Sequence, residues 1–127
     1  MTYINWEYYS SLYSEVPEED FDRLCMKASA KLDIHTHGRA KKFEIFFDAE
    51  TATDFQKEVH IQIKNTVCEL MGALYVQETS GMGTGIASVS NDGYSESYKI
   101  TTAAEKEAQV VALIREGLSG TGLASAL

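Results

Sequence analysis

His35 and His37 form the most ligand-like pair of side chains in the sequence. Zinc takes four ligands, three of them from protein in catalytic sites, and side chains two positions apart on a helix diverge. His60, Asp33 or Cys25 would have to complete such a site, and no spacing in the chain requires it. We therefore predict that both histidines are solvated at a helix end, where they suit the helix dipole, and that no metal is bound.

Gly81, Gly83 and Gly85 have a spacing that could cradle a phosphate group. Phosphate-binding loops follow a strand and lead into a helix, whereas these glycines follow a helical segment and have no Lys-Ser/Thr ending. We interpret them as a flexible hinge. The serines also lack a Gly-x-Ser-x-Gly context, and no carboxylates are paired for acid–base work. The sequence therefore predicts a protein that is not an enzyme and uses no cofactor.

The composition is that of an acidic globular chain with one core. Its 127 residues are 44% hydrophobic and 24% charged, and 11 basic against 19 acidic residues give a net charge of −8. This excess argues against a general nucleic-acid binder, which needs clustered Lys and Arg. We expect a cytosolic protein, because no apolar run reaches the length of about 20 residues that spans a bilayer and no signal peptide is recognisable. Cys25 and Cys68 are accordingly expected to be reduced core residues.

Apolar residues with helical spacing predict where the first helices lie. Residues 5–13 predict a short aromatic-rich helix capped by Asn5. Pro17, which is followed by three acids, fits the first position of an amphipathic helix that ends near Gly38. The apolar residues of segment 39–52 are neither cleanly helical nor alternating, so this segment has no clear prediction.

The second half of the chain predicts two more helices and a hairpin. A capping box from Thr53 to Gln56 opens a long helix that reaches the glycine-rich loop. The Ser-, Val- and Tyr-rich segment 86–100 surrounds Asn-Asp-Gly and predicts a β-hairpin. A last helix is predicted to begin at Thr102 and to be ended by Gly117 and Gly120.

The predicted fold is therefore mainly α, a small helical bundle of three to four helices with one β-hairpin or extended loop. We assign residues 1–118 to a single domain. Residues 119–127 are small and uncharged, and we predict that they form a flexible C-terminal tail.

Opposite charges are segregated near the N-terminus. Residues 1–22 contain six acids and no base, whereas residues 23–42 contain six bases and one acid. One interpretation is that these are two solvated faces of one helical region. The other is that opposite charges meet across a subunit boundary and fix the register of assembly. The candidate interface residues of this region are Glu18, Glu19, Arg23 and Lys27.

The predicted hairpin is a second candidate for an interface. A lone two-stranded hairpin is marginally stable in water, and its edges offer unpaired backbone groups. It could fold over its own helices, or it could pair with a neighbouring molecule. The candidate interface residues here are Ile86, Val89, Asn91, Asp92, Gly93, Tyr94 and Tyr98.

The same segment carries a resemblance to a known family. The run Ile86–Tyr98, Ile-Ala-Ser-Val-Ser-Asn-Asp-Gly-Tyr-Ser-Glu-Ser-Tyr, resembles the hairpin region of small phage and prophage head–tail connector proteins. These are also called adaptor or head-completion proteins of long-tailed phages. The opening Thr2–Tyr9 and the acidic stretch Glu18–Phe21, which leads into Arg-Leu and a helix, are similar to that pattern too. So is the order of long helix, glycine-rich loop, hairpin and final helix, and the similarity covers residues 2–118.

This resemblance implies a structural virion protein with a mainly helical bundle and an extended loop or hairpin. Such connectors form a ring, typically of twelve subunits, beneath the portal protein in the neck between head and tail, after assembly in the host cytoplasm. The ring binds the stopper or tail-completion protein. DNA passes through its channel without sequence-specific binding, and the resemblance implies no contact with a membrane. The charge alone also permits an alternative, a small acidic regulatory or DNA-mimic inhibitor protein that binds a basic partner.

Overall fold

The computed structural model describes residues 2–81 and 103–124, and this part of the chain contains five helices and no strand. The mainly helical character is confirmed, and the described helices number five where three to four were predicted. The predicted hairpin and its seven candidate interface residues lie outside the described residues. None of the described helices is both long enough and apolar enough for a transmembrane span. The helices are α1 Trp6–Leu12, α2 Glu18–His35, α3 Arg39–Phe46, α4 Asp54–Gly81 and α5 Ala103–Gly117.

Local capping groups fix where the first two helices begin. The Asn5 side chain accepts a hydrogen bond from the Tyr8 N–H at 2.8 Å, which confirms the predicted cap of α1. Pro17 has an extended backbone with ψ of 152° and is the N-cap of α2, so this helix begins one residue later than predicted. The Pro17 carbonyl nevertheless accepts the first helical hydrogen bond, from the Asp20 N–H at 3.0 Å.

A tight turn between α2 and α3 sets the position of α3. The buried Thr36 hydroxyl donates to the Leu32 carbonyl at 2.8 Å, and the Gly38 N–H donates to the Asp33 carbonyl at 2.8 Å. Gly38 has a φ of +76°, a left-handed backbone conformation that ends α2. Residues with a β-carbon are sterically strained in this conformation, whereas glycine is not. The chain therefore ends α2 and starts α3 at Arg39 with only three residues between them.

Helix α3 lies within segment 39–52, whose hydrophobic pattern allows no clear prediction. Ala40 is its one buried residue, because α3 lies at the end of the bundle and touches it with a single side. A helix that buries so little of its surface needs no apolar stripe, which explains why the hydrophobic pattern of this segment is irregular.

The capping box predicted for α4 is confirmed in both directions. The Gln56 N–H donates to Thr53 Oγ1 at 3.1 Å, and the Thr53 N–H donates to Gln56 Oε1 at 2.9 Å. The helix then runs through Ser80 to Gly81, which is the first glycine of the predicted flexible hinge.

Helix α4 is the centre of the bundle, and α2 and α5 both run against its direction. Near one end, Arg23 of α2 contacts Glu78 of α4, and near the other, the Gln62 side chain donates to the Gly117 carbonyl at 3.2 Å. The core between these helices consists of aliphatic side chains that are almost completely buried, and it includes both cysteine thiols. Its largest aliphatic members are Leu24, Leu32, Ile63, Leu70, Met71, Ile114 and Leu118.

The segments at both ends of the chain pack on this bundle. The fully buried Tyr9 ring stacks on Trp6 with ring centroids 6.0 Å apart, and the Tyr9 hydroxyl accepts a hydrogen bond from the Val16 N–H at 3.1 Å. Residues 119–124 form turns after α5, and Leu123 is half-buried against the core. The first part of the segment that the sequence assigns to the tail therefore contacts the domain.

Candidate subunit interface

The structure places Arg23 and Lys27 in ion pairs within the chain. Arg23 Nη1 lies 2.7 Å from Glu78 Oε2, and Lys27 Nζ lies 3.4 Å from the same oxygen. The hydrogen bond from Arg23 is the main reason why the pKa of Glu78 is below its ordinary value. Neither base is brought to Glu18 or Glu19, and a role of Arg23 and Lys27 at an interface stays a prediction.

The same side of α2 continues toward α5. Lys31 Nζ lies 2.7 Å from Glu107 Oε1, and His35 Nε2 lies 2.5 Å from Glu107 Oε2. His35 is thus half-buried in a hydrogen bond to Glu107, whereas the sequence predicts a solvated side chain, and His37 is exposed. Because residues 23, 27, 31 and 35 recur every four positions, one whole side of α2 faces acids of its own chain.

The predicted acidic residues lie at the exposed start of α2. Glu18, Glu19 and Asp22 are exposed, and within the described ranges none of them has an ion-pair partner. Asp20, between them, is held by Arg23 at 3.2 Å. Three acids in the first turns are compatible with the positive end of the helix dipole, so they need no cation of their own chain.

The exposed side of α3 combines positive charge with large apolar groups. Lys41, Lys42, Ile45 and Phe46 lie on the side opposite the buried Ala40, and we call these four residues the α3 face. Ile45 is 61% exposed and Phe46 is 76% exposed, the highest value among the large hydrophobic side chains of the described residues. Within the same ranges, neither lysine has an ion-pair partner.

A groove of about 370 Å³ runs beside the α3 face. Phe43, Phe46, Phe47 and Leu123 provide its apolar lining, and its polar rim consists of Arg39, Lys42, Asp48, Thr51 and Gln56.

The wall of this groove is held in place by stacking and by a hydrogen bond. The Phe47 ring lies on the His60 ring with centroids 4.1 Å apart and planes inclined by 9°. His60 Nδ1 lies 2.8 Å from Glu44 Oε2, so the imidazole joins α4 to α3. The groove is therefore a formed feature of the surface rather than a gap between loose side chains.

Sequence reasoning missed the α3 face. The available signal was the combination of a basic run and apolar residues without helical or alternating spacing, both in segment 39–52. Such a combination indicates a helix whose apolar residues are not used by its own core.

The described residues contain neither a cluster of metal ligands nor a reactive thiol. Between residues 2 and 81 and between 103 and 124, no three His, Cys, Asp or Glu side chains are placed to share a metal ion. Burial raises the pKa of the Cys68 thiol to about 12 and also raises that of Cys25, so neither is a thiolate at neutral pH. What the α3 face can do is bind another macromolecule, through apolar contact and the two lysines.

Comparison with protein-family models, with curated proteins and with solved structures finds no match to this chain.

Proposed function

We propose that this protein is a structural subunit of a phage head–tail connector, which assembles as a ring beneath the portal, extends the DNA channel and joins the capsid to the tail. The resemblance of Ile86–Tyr98 to the hairpin region of these connectors supports the proposal. The structural observation that carries it is the α3 face, with Ile45 and Phe46 exposed beside two lysines.

An exposed apolar face of this kind is energetically unfavourable in a protein that remains a monomer. Burying one Ile or Phe side chain is worth about 1.5–3 kcal/mol, and the α3 face leaves one of each in water. Apolar residues framed by charges that confer orientation are the usual composition of a protein–protein interface. A ring subunit needs two such surfaces, because each copy contacts its two neighbours through different faces.

The proposal is tested by measuring the mass of the protein in solution by light scattering, first alone and then mixed with the portal ring of the same genome. We expect a ring-sized species, either in both samples or only with the portal. The matched control is the portal of an unrelated phage, which should not promote assembly. A protein that remains a monomer at high concentration and ignores its portal would overturn the proposal.

A second candidate function is that of an acidic inhibitor of a basic partner. The observation that favours it is the exposed cluster of Glu18, Glu19 and Asp22, for which the described residues provide no cation. Such an inhibitor would stay small and would bind a basic protein with an affinity that falls steeply as salt is added. The connector should show weak binding to a generic basic protein under the same conditions.

A further inference from the structure

We infer that the α3 face binds the outer side of the first half of α2 on a second copy of this chain. This outer side consists of Glu19, Asp22 and Met26, and we call it the α2 acidic face. The inference rests on the proposed function, since it names the partner of the surface on which that proposal depends.

Helix α2 has three sides, and two of them are occupied within the chain. One side, which includes Leu24 and Leu32, is buried in the core. A second carries the bases that contact Glu78 and Glu107. The third side contains the α2 acidic face, which is exposed, with Met26 at 65%.

The two faces are complementary in charge and in polarity. Lys41 and Lys42 can contact the carboxylates of Glu19 and Asp22, while Phe46 and Ile45 can cover Met26. The bases of α2 itself do not compete with Lys41 and Lys42 for these carboxylates, because they already contact acids of α4 and α5.

The faces of a single molecule cannot meet. Helix α2 has 18 residues and is therefore about 27 Å long, and α3 begins just after its C-terminal end. The α2 acidic face lies in the first half of that helix, and even Met26 is nine residues, about 14 Å, from the end that leads to α3. The complementary contact therefore requires two molecules arranged head to tail, which closes into a ring or continues as a filament.

Acidic residues beside α3 define how the second molecule must lie. Asp48 and Glu50 follow α3 in the turn to α4, where the Asp48 carboxylate accepts a hydrogen bond from the Glu50 N–H at 3.0 Å, and Asp54 is the first residue of α4. They would repel an acidic helix that shifted toward the turn. The contact is favourable only where the carboxylates lie over Lys41 and Lys42, so these acids fix its register.

The contact can be tested by cross-linking with a bismaleimide. Met26→Cys and Phe46→Cys replace exposed side chains, whereas the native Cys25 and Cys68 are buried and should not react. We expect rapid dimer formation when the two variants are mixed and little in either variant alone. The matched control is Val76→Cys mixed with Phe46→Cys, because Val76 is 54% exposed on another helix. Equal rates for the two mixtures would overturn the inference.

Charge reversal provides the second test, read by light scattering with the portal present. K41E/K42E and E19K/D22K should each weaken assembly by a factor on the order of 100, and the variant that combines all four changes should restore it. The control K57E/R115E alters net charge by the same amount as K41E/K42E at exposed positions elsewhere. If the ring forms and K41E/K42E behaves like this control, the contact is wrong while the connector proposal stands. If the unaltered protein forms no ring with the portal, and the mixed Met26→Cys and Phe46→Cys variants form no cross-link, both are overturned.

Discussion

Gly117 of α5 and Thr66 of α4 approach each other so closely that no side chain fits between them. A β-carbon built on Gly117 would lie 2.1 Å from the hydroxyl oxygen of Thr66 and 3.0 Å from both Cβ and Cγ2 of the same side chain. Thr66 is itself fixed, since its hydroxyl donates to the Gln62 carbonyl at 2.6 Å. In the sequence, Gly117 only suggests a helix end, but in the structure it is also the point that allows two helices to touch.

Replacing Gly117 by alanine should therefore destabilise the fold. We expect Gly117→Ala to lower the free energy of unfolding by about 1–3 kcal/mol, because the methyl group forces the helices apart. Urea unfolding measures this change. Gly72→Ala is the control within α4, because a β-carbon there meets only the flexible end of Glu15 at 3.3 Å and alanine favours the helix. Equal losses in the two variants would contradict the close crossing.

The two thiols should be inert in the folded protein. Burial raises the pKa of Cys68 to about 12 and also raises the pKa of Cys25, so little thiolate exists near pH 8. With a disulfide reagent such as DTNB, we expect almost no reaction in buffer and two reacted thiols per chain in guanidinium chloride. Met26→Cys should add one thiol that reacts at once. Fast labelling of the unaltered folded protein would show that the core opens at these residues.

Stability should fall in acid through Glu107. Hydrogen bonds from Lys31 and then from His35 hold the pKa of Glu107 below its ordinary value of 4.5. The unfolded chain therefore binds the proton first, and the contribution of this group is lost as the pH falls through 4.5 and through the lower pKa of the folded state. It amounts to at most about 1 kcal/mol, because 41% of the side chain is exposed.

The comparison of Glu107→Gln with Glu116→Gln isolates this contribution. Glu116 is exposed and has no ion-pair partner within the described residues, so its replacement should leave the pH dependence of urea unfolding unchanged. Glu107→Gln should lower stability at pH 7 and flatten the fall between pH 5 and 3. An identical pH dependence in both variants would mean that the Glu107 ion pairs do not persist in solution.

Ser29 is a buried group whose removal should stabilise the protein. Its hydroxyl is fully buried on α2, and the partner that the described part of the chain offers it is the Cys25 thiol, a weak hydrogen-bonding group. Because a buried hydroxyl with so weak a partner is unfavourable, Ser29→Ala should raise the free energy of unfolding by about 1 kcal/mol.

The control for this change is Thr36→Val, which removes a buried hydroxyl that does have a partner. The Thr36 hydroxyl donates to the Leu32 carbonyl at 2.8 Å, so its loss should lower stability by about 1 kcal/mol. Thermal unfolding measured by circular dichroism distinguishes the expected gain in stability of Ser29→Ala from the expected loss in Thr36→Val. A loss in Ser29→Ala as large as that in Thr36→Val would indicate a hydrogen bond to Ser29 in solution.

The sequence by itself determined the features of this protein that depend on near neighbours. The Asn5 cap, the capping box between Thr53 and Gln56 and the buried stripe of α2 all join residues within one or a few helical turns. Spacing along a helix fixes such relationships wherever the helix lies, so they can be read without knowing the fold.

Only the tertiary structure decided which groups from distant segments meet. Arg23 and Glu78 are 55 positions apart, and their ion pair depends on α2 running against α4. The same packing pairs the bases of α2 with acids of α4 and α5 and leaves the lysines of α3 without an ion-pair partner among the described residues, although the sequence shows them as one basic run. The contact of Gly117 with Thr66 also exists only where two helices cross. A residue's place in the chain fixes its side of a helix, whereas its partner is fixed by how the helices pack.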